Sequence, residues 1–138
     1  MISDRSKRVL GIDCGTAIVG WAVSEQAPDR SLKVIDYGDI RTPAKTEISW
    51  RLKMIYEAML KLIKTYQPQE LAVEDLFYFK NATTVISVSE ARGVILLSGA
   101  INKLPVFGYT PLQVKMSVTG YGRAEKRQVQ IMVSKVLN

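Results

Sequence analysis

Two carboxylates stand at the ends of short apolar runs, Asp13 closing residues 8–13 and Glu74 lying near the end of residues 70–76. Side chains alternate along a strand, so Gly11 shares a face with Asp13 and Ala72 shares one with Glu74. If those strands are neighbours, about 4.8 Å apart, both acids emerge side by side at one carboxyl edge above small residues. That leaves room for metal ions. Magnesium prefers oxygen ligands and keeps several waters, and two such ions roughly 3.5 to 4 Å apart can stabilise both the attacking and the leaving oxygen of a phosphodiester displacement. No protein base is then needed. The same residues also admit a plain role, with Asp13 opening a turn and Glu74 pairing with a Lys or Arg, and the pattern alone leaves both readings open.

Asp75 adjoins Glu74 but faces the other side of a strand and is not counted as a ligand. Cys14, apolar-flanked in a strand-end turn, is read as an inert small residue rather than a nucleophile. Phe77, Tyr78, Phe79, Lys80 and Asn81 follow directly on the second acid. Aromatics beside such a site can stack on unpaired bases or wedge between them, though burial is the commoner fate of a lone trio. The loop around Gly120 and Gly122 joins two helical segments and lacks the third glycine and the preceding strand of a dinucleotide fingerprint. It is expected to be a flexible basic loop that presents Arg123 and Lys126 to phosphate, with Lys115 nearby.

The elements that must position these groups are legible from periodicity. Residues 8–13 and 17–23 form a hairpin around Cys14, Gly15 and Thr16, and residues 31–40 add a third antiparallel strand closed by Pro43. From Thr46 the period becomes helical, with Ile48, Leu52, Ile55, Met59, Leu62 and Tyr66 on one face until Pro68. Reaching residues 70–76 through a helix predicts a strand parallel to the first. Asn81 is the N-cap candidate of a second helix over 82–102, whose stripe Val85, Ser89, Gly93, Leu96 and Ala100 holds small residues that let another backbone approach, in the core or across a subunit interface. Residues 105–109 are a fifth strand, followed by a short helix from Pro111 and a last helix from Ala124. The order βββαβαβαα gives an α/β fold, a mixed five-stranded sheet flanked by helices in one domain over 1–138. The last helix is still running at Asn138 without glycine cap or proline, so the domain is expected to be C-terminally incomplete.

Composition excludes several classes. The 138 residues are 47% apolar and 23% charged, with one cysteine and no histidine, so the chain holds no Ser-His-Asp or Cys-His pair, no imidazole base and no internal disulfide. The longest unbroken apolar run, residues 94–97, is far below the roughly 18 residues of a membrane span. A single cytoplasmic domain is the economical expectation. Residues 1–79 carry 11 basic and 11 acidic side chains, whereas residues 80–138 carry 8 basic and 2 acidic ones. A one-sided basic excess suits a polyanion, although a solubilising face is equally compatible.

Together the motifs resemble the RuvC family of Holliday-junction resolvases over nearly the whole chain. The matching stretches are Leu10-Gly-Ile-Asp13 with Gly15 and Gly20; Ala72-Val-Glu74; Phe77 with Lys80-Asn81; Ala91-Arg-Gly93; Leu104-Pro-Val-Phe107; Gln113-Val-Lys115; and Gly120-x-Gly-x-Ala-x-Lys126 with Gln128-Val129. The resemblance implies an RNase H-like fold, a homodimer and paired nicking of a four-way DNA junction, dependent on Mg2+ or Mn2+ with two ions per complete site. It implies Asp13 and Glu74 as catalytic metal ligands, Phe77 as the aromatic intruding at the crossover, and Lys115 and Lys126 as contacts to the scissile region. Lys80, Asn81 and Arg123 are implied as further DNA contacts, and the RuvAB branch-migration complex as a partner.

Two departures matter. Cys14 replaces the proline usual after the first Asp, at a cost in loop stiffness. Family members carry further acidic ligands on a final helix, and this chain has no Asp or Glu after Glu125. Two carboxylates against two divalent cations leave two positive charges in excess, so weak metal occupancy and little cleavage are expected. The competing readings are a YqgF-type RNase H-like nuclease acting on RNA, which should lack Phe77, Lys80-Asn81 and the Ala91-Arg-Gly93 block, and a non-catalytic junction-binding module.

Overall fold

The computed structural model describes residues 5–76 and 81–137. Three strands, β1 (Lys7–Asp13), β2 (Ile18–Gln26) and β3 (Leu32–Arg41), form the antiparallel meander expected from the sequence. The β1–β2 turn closes at Gly15, where a Cβ would fall 2.2 Å from the carbonyl oxygen of Ile18; only glycine fits this approach. After α1 (Ile48–Tyr66) the chain returns as β4 (Glu70–Glu74), parallel to β1, and after α2 (Ala82–Ile101) as β5 (Val106–Tyr109), parallel to β4. The resulting order β3-β2-β1-β4-β5 is the expected mixed five-stranded sheet. Two helices, α3 (Pro111–Thr119) and α4 (Lys126–Leu137), complete the described residues.

Strand alternation sorts the sheet into two unlike faces. Leu10, Ile12, Val19, Val23, Leu71 and Val73 are buried on one face beneath Ile55, Met59, Leu62 and Ile63 of α1 and Ala91 and Ile95 of α2. The opposite face presents small residues, Gly11, Gly20, Ala22 and Ala72, together with half-exposed Phe107 and Tyr109. Helix α1 stops at Gln67, whose left-handed backbone (φ 47°) directs its N–H to the carbonyl of Ile63 just before Pro68.

Helix α2 starts as expected, with Asn81 accepting a hydrogen bond from the Thr83 N–H at 2.9 Å. The sequence leaves its small-residue stripe open to the core or to a subunit interface, and the structure turns most of it away from the core. Val88, Ala91, Ile95, Ser98 and Gly99 face the core, whereas Ser89, Gly93 and Ala100 of the expected stripe are exposed, and Val85 and Leu96 lie half-buried. Apolar residues surround this helix on every side, so periodicity alone could not choose its core face. The close approach falls on Gly99, where a Cβ would meet Leu71 Cδ2 at 2.8 Å and Val106 Cγ2 at 2.9 Å, while at Gly93 it would meet open space. By length and composition α2 could also cross a membrane, since its alcohols and glycines interrupt an apolar run without making it hydrophilic. Its Val88–Gly99 face is instead spent on α1 and the sheet, leaving Ile86, Leu97 and Ile101 more than half exposed.

Candidate active site

The register of β1 on β4 pairs Gly11 with Ala72 and Ile12 with Val73, which brings Asp13 and Glu74 to adjacent strand ends on the same face. Gly20 lies opposite Asp13 on β2, and a Cβ there would touch only the Asp13 Cβ, at 3.6 Å, so the floor beneath the acids is kept low. Asp13 is exposed and Glu74 half-buried, and their carboxyls share a hydrogen bond. Burial, then the neighbouring Asp13 charge and that hydrogen bond, push the Glu74 carboxyl above its usual range, and the Lys115 ammonium pulls in the opposite direction. Glu74 is thus a carboxylate held against another, which a cation would relieve.

Lys115 owes its place to local chemistry at the start of α3. Thr110 directly follows β5 and caps the helix: its Oγ1 accepts from the Gln113 N–H at 3.1 Å, while Gln113 Oε1 accepts from the Thr110 N–H at 2.9 Å, with Pro111 in the first turn. The helix therefore departs directly from the carboxyl edge of the sheet, and half-buried Lys115 sits one turn along it. The glycine loop that follows is more fixed than the sequence suggests. Gly120 takes the left-handed cap position (φ 72°), the Thr119 hydroxyl donates to the Lys115 carbonyl at 2.7 Å and accepts from the Tyr121 N–H at 3.1 Å, and Gly122 leaves no space for a Cβ against Leu112. Arg123 and Lys126 are exposed beyond it. Asn81 uses its side-chain oxygen as a helix cap, and Phe77 and Lys80 lie outside the described residues.

Cys14 is half-buried, and burial pushes its thiol up to about 12, with Asp13 and Glu74 adding to the rise and Arg92 opposing it. It is therefore a protonated, inert thiol, in keeping with its sequence reading. Asp75 faces away from the acids, also as expected, and is ion-paired with Arg92 at 2.6 Å. The Ala91-Arg-Gly93 block carries no chemical role by spacing alone, because its partners lie 17 and 18 residues away and meet it only in the fold.

The donor set at the two strand ends is all carboxylate oxygen, the chemistry of Mg2+ or Mn2+ rather than of softer metals. Space above Gly11 and Gly20, and the mutual repulsion that raises Glu74, fit a divalent cation that Asp13 and Glu74 would hold. Among the described residues no group of three or more Asp, Glu, Cys or His converges, so Asp13 and Glu74 are the carboxylates that would hold such an ion.

Comparison with known proteins places these features in a family. The model for the crossover junction endodeoxyribonuclease RuvC matches residues 9–138. A RuvC from Halothermothrix orenii is 52% identical over 130 residues, covering 94% of this chain and 78% of its own, and one from Fusobacterium nucleatum is 50% identical, covering 94% and 68%. A structure of Thermus thermophilus RuvC in complex with a Holliday junction substrate superposes with a TM-score of 0.88 at 27% identity, covering 95% of this chain and 79% of that one. With its matched motifs, its RNase H-like sheet and its paired strand-end acids, the chain belongs to the RuvC family of crossover junction endodeoxyribonucleases.

Proposed function

We propose that this chain is a structure-selective DNA endonuclease that resolves four-way junctions by metal-dependent phosphodiester hydrolysis. The observation that carries the proposal is the meeting of Asp13 and Glu74 at adjacent parallel strand ends, within the field of Lys115, in a chain of this family. Asp13 and Glu74 hold Mg2+ or Mn2+, two ions in a complete site. The metal supplies Lewis-acid stabilisation of the oxygens exchanged at phosphorus. Lys115 and Lys126 bind phosphate oxygens around the scissile bond and orient it toward the acids, and Arg123 extends the same basic surface along the strand. The side-chain nitrogen of Asn81 is left to donate to the backbone once its oxygen has capped α2, and the resemblance supports Phe77 at the crossover and Lys80 beside it. With two carboxylates set against two divalent cations, these 138 residues hold metal weakly and turn over slowly.

Paired nicks need two active sites in fixed relation. Ile86, Gly93, Leu97 and Ile101 recur at helical spacing on the open face of α2, and an exposed apolar stripe with a glycine at its centre supports a homodimer formed by α2 against its two-fold mate. Family membership supports RuvAB as the branch-migration partner. The YqgF-type reading is not favoured, because the RuvC match runs through the Ala91-Arg-Gly93 and Gly120-x-Gly122 blocks. The test is single-turnover cleavage of an end-labelled four-way junction in Mn2+. Slow nicking near the crossover should disappear in both Asp13→Asn and Glu74→Gln, with duplex left intact; nicking that survives both substitutions would contradict the assignment.

A further inference from the structure

The Glu74 carboxylate belongs to the last residue of β4, where a strand ordinarily frays, yet α2 and β5 both hold the chain at Glu74 and Asp75. From α2, the Arg92 guanidinium donates to Asp75 Oδ1 at 2.6 Å and approaches the Glu74 carbonyl oxygen at 3.4 Å. From β5, the Tyr109 carbonyl accepts the Asp75 N–H at 2.7 Å. Gly108 completes the arrangement by omission, since a Cβ there would fall 2.6 Å from the same Asp75 oxygen that Arg92 holds. The ion pair is partly shielded, with the Arg92 side chain 24% and the Asp75 side chain 37% exposed, so its geometry is better defined than that of a surface pair. Asp75 and Glu74 point to opposite faces of the sheet, so a clamp on the first fixes the direction of the second without touching the site itself.

We infer that Arg92, through Asp75 and with the space left by Gly108, is a positioning residue that locks the end of β4 so that the Glu74 carboxylate is presented toward Asp13. The inference rests on the proposed role of Glu74 and assigns it a support. Groups one step removed from a metal ligand typically govern metal affinity or activity by about 10- to 100-fold.

The test reads the clamp without metal first. Amide hydrogen exchange is measured at Asp75, whose N–H bonds Tyr109, and at Leu71, whose N–H bonds the Pro105 carbonyl at the other end of the same strand pair. Arg92→Ala and Asp75→Asn should each speed exchange at Asp75 by about tenfold or more while leaving Leu71 unchanged. Arg92→Lys, which keeps a cation opposite Asp75, should recover part of the protection. Unchanged exchange at Asp75, or equal acceleration at both amides, would overturn the clamp. Mn2+ binding is then titrated without DNA. Arg92→Ala should weaken it about 10- to 100-fold, and Mn2+ affinity equal to the parent in a variant that has lost Asp75 protection would overturn the positioning role. Mn2+ binding unaffected by Glu74→Gln would instead contradict the site reading, and the exchange measurements would still decide the clamp.

Discussion

Replacing Glu74 by glutamine should stabilise the metal-free chain while removing its response to metal. Adjacent parallel strands hold the two carboxylates roughly 4 to 5 Å apart, and unit charges at about 4 Å repel by about 1 kcal/mol in water and about 4 kcal/mol at an effective dielectric of 20. Asp13 is exposed and Glu74 only half-buried, so solvent screening keeps the figure at the low end, about 1 kcal/mol. A neutral amide in place of the Glu74 carboxylate removes that repulsion and can still donate to Asp13. The Glu74 carboxyl lies above its ordinary value of 4.5, so the folded state takes up its proton more readily than the unfolded one. Its contribution is therefore favourable below that value and is lost as pH rises through the higher folded value. At pH 8 without metal, Glu74→Gln should raise Tm by about 3 °C, and at pH 4.5 the gain should vanish. Millimolar Mn2+ should narrow the difference, because ligand linkage stabilises the parent and not the variant. Thermal melts followed by circular dichroism at the two pH values, in EDTA and in Mn2+, read all four cases. A variant less stable than the parent in EDTA at pH 8, or one equally stabilised at both pH values, would refute the electrostatic account.

Other outcomes follow from single contacts. The Thr16 hydroxyl is buried without a hydrogen-bond partner among the described residues, so Thr16→Val should add about 1 kcal/mol in chemical denaturation. Gly15→Ala must displace the Ile18 carbonyl; a loss of about 1 to 3 kcal/mol in the same assay, together with loss of Mn2+ binding, should show that the β1–β2 turn also sets Asp13. If α2 forms the proposed dimer, Leu97→Glu on its open face should shift sedimentation velocity to the monomer while leaving the far-UV circular dichroism of the fold unchanged. A C-terminal extension carrying acidic residues on a helix should raise the single-turnover cleavage rate at a junction, and failure to do so would favour a binding module.

The parts of the fold that the sequence exposes are those where one face is wet and the other dry. Strand alternation around Leu10 and Ile12 and the helical stripe through Ile55, Met59 and Leu62 follow this rule, and they suffice to bring Asp13 beside Glu74 once β4 is reached through a helix. Helix α2 breaks the rule, because Ile86, Leu97 and Ile101 are as apolar as the buried Val88 and Ile95, and the small-residue stripe, readable as core or as subunit interface, lies mostly outside the core. The Arg92–Asp75 pair is illegible for a different reason: its members are 17 residues apart, on a helix and past a strand end, and only the parallel crossover joins them. The order in the Gly120 loop likewise depends on Thr119 and Leu112, which no glycine pattern reveals.

Preference for a four-way junction over duplex is the property on which the proposed activity depends. Its most direct test is a binding titration on a synthetic four-way junction and on duplex of the same sequence, in Ca2+ so that binding proceeds without cleavage, at two salt concentrations. Clear preference for the junction at both salts is expected. Equal, steeply salt-dependent binding to junction and duplex would contradict it, leaving only the phosphate attraction of a basic surface.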